Sequence, residues 1–384
     1  MKILEMIATI GVGGAEGLVS DLSIELTKRG GEVKLFLLAG LRGIRGELLK
    51  ERLTAEGVEV LGLEPRKPSS INNVCRIARL FSEWQPDVVH CHLYSSEVAA
   101  SFSRIFAKVQ PKVFIRTIHN TDIVGSRSKL VSYLLCNLFH YNVACSVSVA
   151  DSYVNYRGKS AVDTLVTIPN GCNLSESTTT AGEKIEARNE LGLPQDAFIF
   201  CHVGAFRGKS LALSQKAQDV LLKSYSSAFQ QEDNTVLVFA GDGPLREEAE
   251  ELSRALGCFD RTIFLGNIPE SWPLFKASDV FVMPSRHEGL SLALLEAAST
   301  GLPVVASDIN EIRSLNSLGG WIYCPVDDCT AFARSFRKVI AQYQNIAEQA
   351  KEDSIYIRRN YSIEECGKQY LDFFSHTTLT NVNE

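Results

Sequence analysis

The chain has 384 residues, of which 45% are hydrophobic and 22% are charged, and its formal net charge is −6. This composition excludes an intrinsically disordered protein, because enough apolar side chains are present to form the cores of about two domains. No run of residues approaches the ~20 consecutive apolar side chains of a membrane-spanning helix, which excludes such a helix.

Alternating strands and helices are predicted over residues 1–170. Residues 3–10 form an apolar run broken only by Glu5, which predicts a buried strand. Residues 15–29 carry apolar side chains at i, i+3 and i+4 spacing, which predicts a helix packed on one face. Further strands are predicted at residues 32–38, 58–63, 87–91, 112–118 and 141–146, and helices near residues 45–56, 71–84, 95–108 and 128–140. This alternation is typical of a parallel, doubly wound sheet.

A polar segment of small residues at 175–182 separates this half from a second alternating region. The segment predicts a boundary between an N-terminal domain, residues 1–172, and a C-terminal domain, residues 183–360. In the second region, strands are predicted at residues 198–203, 236–240, 262–265, 280–283 and 303–306, and helices near residues 214–230, 244–256, 290–299 and 328–342. The sequence therefore predicts an α/β protein with two Rossmann-like domains that face each other across a deep cleft.

The C-terminal end is predicted to be helical over residues 344–375. Residues 361–375 are expected to pack back toward the N-terminal domain, and residues 376–384 are expected to be a frayed tail.

Charged side chains are unevenly distributed. Residues 1–170 carry 20 basic and 16 acidic side chains, a net charge of +4, against −10 for the remainder. The basic half favours an anionic partner, such as a membrane surface or a phosphate-bearing substrate, although an unevenly charged solvated surface is also open. The basic residues that suggest a membrane surface include Arg42, Arg45, Lys50, Arg52, Arg66, Lys67, Arg76 and Arg79. No basic-aromatic patch indicates a nucleic-acid partner.

The 10 cysteines are scattered and contain no Cys-x-x-Cys pair. With no export signal at the N-terminus, they predict reduced thiols in a cytoplasmic protein rather than zinc ligands.

A glycine-rich turn joins the first predicted strand to the first predicted helix. Gly13 and Gly14 would let the backbone approach an anion at the helix N-terminus. The turn departs from a dinucleotide fingerprint, because Glu16 occupies the third glycine position and the strand at 32–38 ends without an acid for a ribose. No nicotinamide or flavin cofactor is therefore expected. A turn that needs glycine only for packing is the alternative.

Two glutamates, Glu288 and Glu296, follow the strand at 280–283 and stand eight positions apart. If all the residues between them were helical, they would be roughly 12 Å apart, about the length of a nucleotide sugar between its hexose and its ribose. Gly289 and the neighbouring amides could hold a diphosphate between them, and carboxylates accept hydrogen bonds from sugar hydroxyls. The alternative is that Glu288 is an acid at a helix N-terminus, favoured by the helix dipole, and that Glu296 is a surface residue. The apolar neighbours of Glu296 disfavour this alternative.

The chain resembles the family 4 glycosyltransferases of the GT-B fold. The family signature of two glutamates separated by seven residues is present as Glu288 and Glu296. Further matches, in the order of the family, are Gly13-Gly14-Ala15-Glu16, Pro86-Asp87-Val88-Val89-His90, Thr117-Ile118-His119-Asn120, Ile168-Pro169-Asn170-Gly171, Gly241-Asp242-Gly243-Pro244-Leu245 and Gly301-Leu302-Pro303-Val304-Val305-Ala306. Together these motifs cover roughly residues 1–345.

The resemblance implies roles for individual residues. His119 would face the transferred sugar, Glu288 would hold sugar hydroxyls and Glu296 the ribose. The catalytic residues expected are His119, Glu288 and Lys216, and the donor-binding residues expected are Gly13, Gly14, Arg207, Lys216, Asn267, Ile268, Glu288, Gly289, Leu290, Ser291 and Glu296. Neither a metal nor a cofactor is implied, and His90 and His92 are interpreted as scaffold or acceptor-side residues.

One segment departs from the family pattern. Ala205 stands where the family commonly has an arginine that neutralises the diphosphate. Lys216 matches the lysine of the same motif after a longer gap, and Arg207 or Lys209 could supply the missing charge.

The resemblance implies a retaining glycosyltransferase that moves a sugar from a nucleoside-diphosphate sugar, with a UDP-sugar expected, to a glycan or lipid-linked acceptor. This reaction would belong to surface polysaccharide or glycoconjugate assembly, in the cytoplasm or at the inner face of the membrane. A nucleotide-sugar epimerase of the same fold and a non-catalytic nucleotide-sugar-binding component of a glycan-assembly complex are the alternatives.

Overall fold

The computed structural model describes residues 1–11, 13–68, 70–120, 138–231, 233–313, 315 and 319–380. The chain forms two units. The N-terminal unit contains Met1–Cys172 together with the chain from Tyr361 onward, and the C-terminal unit contains Asn173–Asn360. Each unit is built around one parallel sheet, so the predicted α/β class is confirmed.

The strands of the N-terminal unit form one sheet. They are β1 (Lys2–Ile7), β2 (Glu32–Leu37), β3 (Glu59–Leu61), β4 (Val88–His92), β5 (Val113–Ile118), β6 (Tyr141–Ala144) and β7 (Leu165–Thr167). All neighbouring strands are parallel, in the order β3-β2-β1-β4-β5-β6-β7 for the described residues. The described helices up to β7 are α1 (Gly14–Lys28), α2 (Gly43–Ala55), α3 (Ile71–Trp84), α4 (Tyr94–Phe106) and α5 (Val147–Arg157).

The C-terminal unit repeats this plan. Its strands are β8 (Phe198–Val203), β9 (Thr235–Ala240), β10 (Thr262–Phe264), β11 (Val280–Met283), β12 (Val304–Ser307) and β13 (Trp321–Cys324). They are parallel, in the order β10-β9-β8-β11-β12-β13 among the residues that the structure describes. The helices are α6 (Ala181–Glu190), α7 (Gln218–Ala228), α8 (Arg246–Ala255), α9 (Trp272–Ala277), α10 (Leu292–Ser299), α11 (Asn310–Arg313), α12 (Cys329–Ala341) and α13 (Tyr343–Asn360).

The C-terminal end differs from its prediction as a single helical stretch. The chain has a break between α13 and a last helix, α14 (Ile363–Thr380), where it returns to the N-terminal unit. The amide of Cys172 donates to the carbonyl of Tyr361 at 3.1 Å, and the amide of Ile363 donates to the carbonyl of Cys172 at 3.0 Å. α14 packs on α1 and is helical to Thr380, so the prediction of a frayed tail is wrong for residues 376–380, whereas residues 381–384 lie outside the described residues.

Several elements were not predicted, namely β7, β13, α5, α6, α9 and α11. Most of the helix predicted at residues 128–140 lies outside the described residues, and residues 138–140 are not helical. None of the helices in the described ranges combines the length and the apolar character required to cross a lipid bilayer.

Candidate active site

The carboxyl ends of β8, β9, β10 and β11 lie side by side at one edge of the C-terminal sheet. The strand order changes direction between β8 and β11, because β9 and β10 lie on one side of β8 and β12 lies on the other side of β11. In open parallel sheets, ligands bind beyond the carboxyl ends of the strands at such a switch point. The loops that follow β8 and β11 are therefore the expected location of a ligand-binding site.

A partly buried ion pair joins these two loops. Glu288 follows β11 and is 6% exposed, and its Oε1 lies 2.7 Å from the Nζ of Lys216, which precedes α7. Gln215 donates from Nε2 to the carbonyl of His287 at 2.9 Å, so a side-chain-to-backbone hydrogen bond also joins the two loops. The pair places a cation and a carboxylate next to each other at the switch point, where each could bind a different part of a polar anionic ligand.

Arg286 holds the loop after β11 in place. Its guanidinium donates to the carbonyl of Ser214 at 2.7 Å and contacts Asp219 at 3.1 Å and Asp327 at 2.8 Å. Its amide donates to the carbonyl of Gln215 at 2.9 Å. Arg286 therefore connects the β11 loop to the segment that carries Lys216, the cation of the ion pair.

Close packing at the end of β8 requires glycine. A Cβ on Gly204 would lie 2.8 Å from the Nε2 of His202 and 3.2 Å from the Cγ of Lys216. His202 is fully buried, and its Nδ1 lies 2.9 Å from the carbonyl of Val282. Burial lowers the pKa of His202 to about 4, so the imidazole is neutral at pH 7. A Cβ on Gly241 would collide with the carbonyl of Gly204, which explains one glycine of the Gly-Asp-Gly motif by packing.

The helix after the β11 loop does not extend over all the residues between Glu288 and Glu296. α10 starts at Leu292, so the residues from Glu288 to Ser291 are not helical and the 12 Å separation calculated for a continuous helix does not apply. Leu290 and Ser291 are buried beside Gly289, and Glu296 is half-buried in α10. The two acids therefore lie in one loop–helix segment, and neither side chain is fully exposed.

The loop after β8 contains the departure from the family motif. Ala205 is followed by Arg207 and Lys209, which are both exposed, and neither forms an ion pair within the described part of the chain. On the other side of β9, the loop after β10 carries Asn267, which is exposed, and Ile268, which is half-buried. All these residues lie at the same edge of the sheet as Glu288.

In the N-terminal unit, the turn after β1 leads into α1. Gly11 has a φ of +128°, and a Cβ there would collide with the carbonyl of Arg42, so packing accounts for this glycine. Gly13 is different, because among the described residues an added Cβ would meet nothing nearer than the side chain of Glu16 at 4.0 Å. The space beside Gly13, at the N-terminus of a 15-residue helix, is compatible with an anion.

His119 belongs to a hydrogen-bonded chain that starts inside this sheet. Glu5 of β1 lies opposite His90 of β4 in the register. Its Oε2 is 3.0 Å from the Nδ1 of His90 and 2.7 Å from the Nε2 of His92. The Nδ1 of His92 is 3.0 Å from the Nε2 of His119, which follows β5. Glu5, His90 and His92 are fully buried.

The pKa values of this chain follow from burial and from the mutual contacts. Burial alone would raise the pKa of Glu5, but the two neighbouring histidines outweigh it and lower the pKa to about 2. Burial, together with His90, lowers the pKa of His92 to about 4 despite its contact with Glu5. Burial and the nearby histidines hold the pKa of His119 well below its ordinary value. At neutral pH, Glu5 is therefore ionised, and His92 and His119 are neutral.

The ligand atoms of Glu5, His90 and His92 lie within 4.8 Å of one another, close enough to surround a metal ion. Each of these side chains is already hydrogen-bonded, so hydrogen bonding alone accounts for the cluster.

Two family models match the chain. One, described as Glycosyl transferases group 1, matches residues 183–354, and the other, described as Glycosyltransferase Family 4, matches residues 12–176. The chain belongs to glycosyltransferase family 4. The match extends over both units of this glycosyltransferase and agrees with the family that its motifs suggest.

Relatives of this family 4 glycosyltransferase include the N-acetyl-alpha-D-glucosaminyl L-malate synthase of Bacillus anthracis, which is 23% identical over 90% of both chains. The UDP-Gal:alpha-D-GlcNAc-diphosphoundecaprenol alpha-1,3-galactosyltransferase of Escherichia coli is 25% identical over 70% of both chains. The crystal structure of Anabaena Alr3699/HepE in complex with UDP and glucose superposes with a TM-score of 0.82 and 19% identity, covering 98% of this chain and 99% of that chain. The predicted GT-B fold is thereby confirmed.

Three residues of the glycosyltransferase that the structure brings into these sites were not predicted as site residues. Arg286 and His202 lie beside the Lys216–Glu288 pair, and Glu5 lies behind His119. A signal was present for Glu5, because it is the single charged residue in the apolar run of residues 3–10. Nothing in the sequence indicated that Arg286 would cross to the chain before α7.

Proposed function

We propose that this chain is a retaining hexosyltransferase that transfers a sugar from a UDP-sugar to a glycan or lipid-linked acceptor. The observation that carries the proposal is the Lys216–Glu288 pair at the switch point of the C-terminal sheet. Names of relatives support the donor and acceptor classes, since one is a UDP-Gal-dependent transferase to a diphosphoundecaprenol-linked sugar and one solved structure holds UDP-glucose. The reaction would contribute to surface polysaccharide or glycoconjugate assembly.

The donor would bind to the C-terminal unit. Lys216 and the amides from Gly289 onward would contact the diphosphate, because a cation and backbone N–H groups at a helix N-terminus both favour phosphate oxygens. Glu288 would accept hydrogen bonds from hydroxyls of the sugar, and Glu296 from the ribose. Backbone groups at residues 266–268 would flank the base.

In the reaction, the bond between the anomeric carbon and the diphosphate oxygen breaks while the acceptor oxygen bonds to the same face of that carbon. The acceptor proton passes to an oxygen of the leaving phosphate. Negative charge therefore grows on the diphosphate in the transition state, and Lys216 would stabilise it there more strongly than in the bound donor. Arg207 or Lys209 would supply the positive charge missing at Ala205.

The first test measures donor binding and turnover. UDP, GDP, UDP-glucose and UDP-galactose are screened by thermal shift, because a ligand that binds the folded state raises its melting temperature. UDP release and the anomeric configuration of the product are then followed by NMR. A retained configuration is expected. Inversion would refute the retaining mechanism, a changed sugar configuration in donor alone would indicate an epimerase, and binding without any UDP release would indicate a non-catalytic component.

The second test examines Glu288. Glu288→Gln removes the carboxylate while keeping the shape of the side chain, and it should lower the rate of UDP release by about 10- to 100-fold if one charge-assisted hydrogen bond of ~1.5–3 kcal/mol is lost. Glu251→Gln, at an exposed position of α8, is the matched control. Equal rates for the two variants would contradict the proposed site.

The proposal includes peripheral association with an anionic membrane, in the cytoplasm. Ile44 and Leu48 of α2 are 81% and 48% exposed, and Arg42 and Arg45 are exposed beside them. Such a face suits the interface of an anionic bilayer. The free cysteines, of which only Cys75 is exposed among the described ones, support a reducing compartment.

Flotation with vesicles containing anionic phospholipid tests this association. Binding at low salt that weakens at high salt is expected, because salt screens exposed charges. Replacing both Ile44 and Leu48 with glutamate should abolish it, whereas Ile185→Glu, at an exposed position of α6 in the other unit, should not. The absence of vesicle binding at low salt would remove the membrane from the proposal.

A further inference from the structure

The hydrogen bonds between Glu5, His92 and His119 have a single consistent direction. An ionised carboxylate can only accept hydrogen bonds, so the Nε2 of His92, 2.7 Å from Glu5, must carry the hydrogen of that contact. In a neutral imidazole the other nitrogen then holds a lone pair. The Nδ1 of His92 is therefore the acceptor in its 3.0 Å contact with His119, and the Nε2 of His119 is the donor.

A neutral His119 with hydrogen on Nε2 has its lone pair on Nδ1. This Nδ1 is buried and has no hydrogen-bond partner among the described residues. An unpaired buried polar atom costs roughly 1–3 kcal/mol, which a donor from a ligand would recover. His119 also follows β5 at the carboxyl edge of the sheet, where ligands of parallel sheets bind.

The second arm of the cluster leaves this direction unchanged. His90 also contacts Glu5 through Nδ1, and its Nε2 lies 2.7 Å from the hydroxyl of Thr117, which lies 2.8 Å from the hydroxyl of Tyr370 in α14. Glu5 thus has two imidazole neighbours, and the branch through His90 ends inside the unit rather than at its edge.

We infer that Glu5 and His92 are positioning residues that fix His119 as the Nε2–H tautomer, so that its Nδ1 accepts a hydrogen bond from a hydroxyl of the bound sugar. The inference rests on the proposed function for the identity of the ligand as a sugar. The inference adds the direction of the hydrogen bond to the proposed function. A hydroxyl of the sugar donates to the Nδ1 of His119, and His119 does not donate to the sugar through this atom.

A metal ion at the cluster would have the opposite consequence. It would take the lone pair of His92 Nε2, the hydrogen of His92 would then sit on Nδ1, and Nδ1 would donate to the Nε2 of His119. His119 would carry its hydrogen on Nδ1 and become a donor toward a ligand. The tautomer of His119 therefore distinguishes a hydrogen-bonded cluster from a metal-bound one.

The direct test is the tautomer itself. Two-bond ¹H–¹⁵N correlation NMR of the full chain with ¹⁵N-labelled histidine at pH 7.5 distinguishes protonated from unprotonated ring nitrogens, and His119→Gln identifies the signals. We expect hydrogen on Nε2 and none on Nδ1. Hydrogen on Nδ1, or on both nitrogens, would overturn the inference.

Variants test whether Glu5 sets the tautomer. Glu5→Gln replaces a carboxylate that can only accept with an amide that can also donate to His92, so the hydrogen of His119 should no longer be confined to Nε2. Thr117→Val cuts the branch through His90 and should leave the tautomer of His119 unchanged, which makes it the matched control. If Glu5→Gln does not fold, His92→Phe, which removes the acceptor of His119, gives a second measurement with the same readout. A wild-type tautomer in the folded Glu5 or His92 variant would overturn the inference.

Kinetics test the acceptor role. UDP-glucose analogues that each lack one ring hydroxyl are compared with UDP-glucose in the wild type and in Glu5→Gln. For one analogue, the wild type should lose about 10-fold or more in kcat/KM, whereas the variant, already impaired, should lose little further. Equal losses in both proteins for every analogue would overturn the inference. If no nucleotide sugar is turned over at all, the proposed function fails, while the NMR result still reports on the tautomer.

Discussion

Lowering the pH from 7.5 to 5.0 is expected to destabilise the C-terminal unit through His202. Burial lowers the pKa of this imidazole to about 4, although its contact with the carbonyl of Val282 favours the charged form. In the unfolded chain its pKa returns to ~6.5. Between these two values the unfolded state binds a proton that the folded state does not. The stabilising contribution is therefore complete above the unfolded pKa and is lost as the pH falls toward the folded one.

The size of the effect follows from these two values. With a pKa of about 4 in the folded state and ~6.5 in the unfolded state, proton linkage reduces the free energy of unfolding by about 2 kcal/mol between pH 7.5 and pH 5.0. For a unit of this size, that loss corresponds to a fall of about 4–8 °C in the melting temperature.

Urea unfolding of the wild type and of His202→Gln at pH 7.5, 6.5, 5.8 and 5.0 measures this contribution. Glutamine can still donate to the Val282 carbonyl but does not titrate, so the variant should lose about 2 kcal/mol less stability over the range. The comparison cancels contributions from other groups, and the exposed His287→Gln controls for removal of a histidine in the same unit. Identical pH dependence in wild type and His202→Gln would refute the reasoning.

Three substitutions test the donor site. Lys216→Ala should weaken UDP binding by about 10- to 100-fold in calorimetry, through loss of a charge-assisted contact of ~1.5–3 kcal/mol; unchanged affinity would assign the charge to the cations at residues 205–210. Glu296→Ala should severely reduce UDP release from the donor, and a wild-type rate would remove it from the site. Gly204→Ala places a Cβ 2.8 Å from His202 Nε2 and should cost ~1–3 kcal/mol of stability by overpacking; an unchanged urea midpoint would contradict the packing described.

The alternation of strands and helices could be predicted because both sheets are covered on two faces, which makes strands such as β1 and β8 nearly continuous apolar runs. The edge strands β7 and β13 have only three and four residues and are partly exposed. They were missed because such short segments have no periodicity of their own and depend on pairing with a neighbour.

The break before α14 could not be predicted, since its cause is distant in sequence. A Cβ on Gly171 would lie 2.5 Å from both the Cβ of Cys366 and the carbonyl oxygen of Ser362. The turn that contains Gly171 was recognised as a family motif, but its partner lies almost 200 residues later. Local propensity favours a continuous helix there, and tertiary contacts override it.

The part of the candidate site that lies within recognisable sequence motifs could be predicted. Glu288 and Lys216 were each identified from local patterns, and the fold brings them to 2.7 Å. The chain from Glu5 to His119 was not predictable in this way, because it depends on the register that sets β1 against β4 and on a strand end 27 residues beyond His92. Sequence periodicity does not specify which strands are neighbours.

The last helix has a consequence for biosynthesis. Most of the N-terminal unit, Met1–Cys172, is synthesised before the C-terminal unit, yet α14, which packs on α1 and supplies Tyr370, is made only after the whole C-terminal unit. At about 5–20 residues per second, the roughly 190 intervening residues take on the order of 10–40 s to synthesise. Throughout that interval the N-terminal unit lacks the helix whose Tyr370 and Phe374 pack on His90. A ribosome that stops before α14 therefore releases a chain whose N-terminal unit is still incomplete.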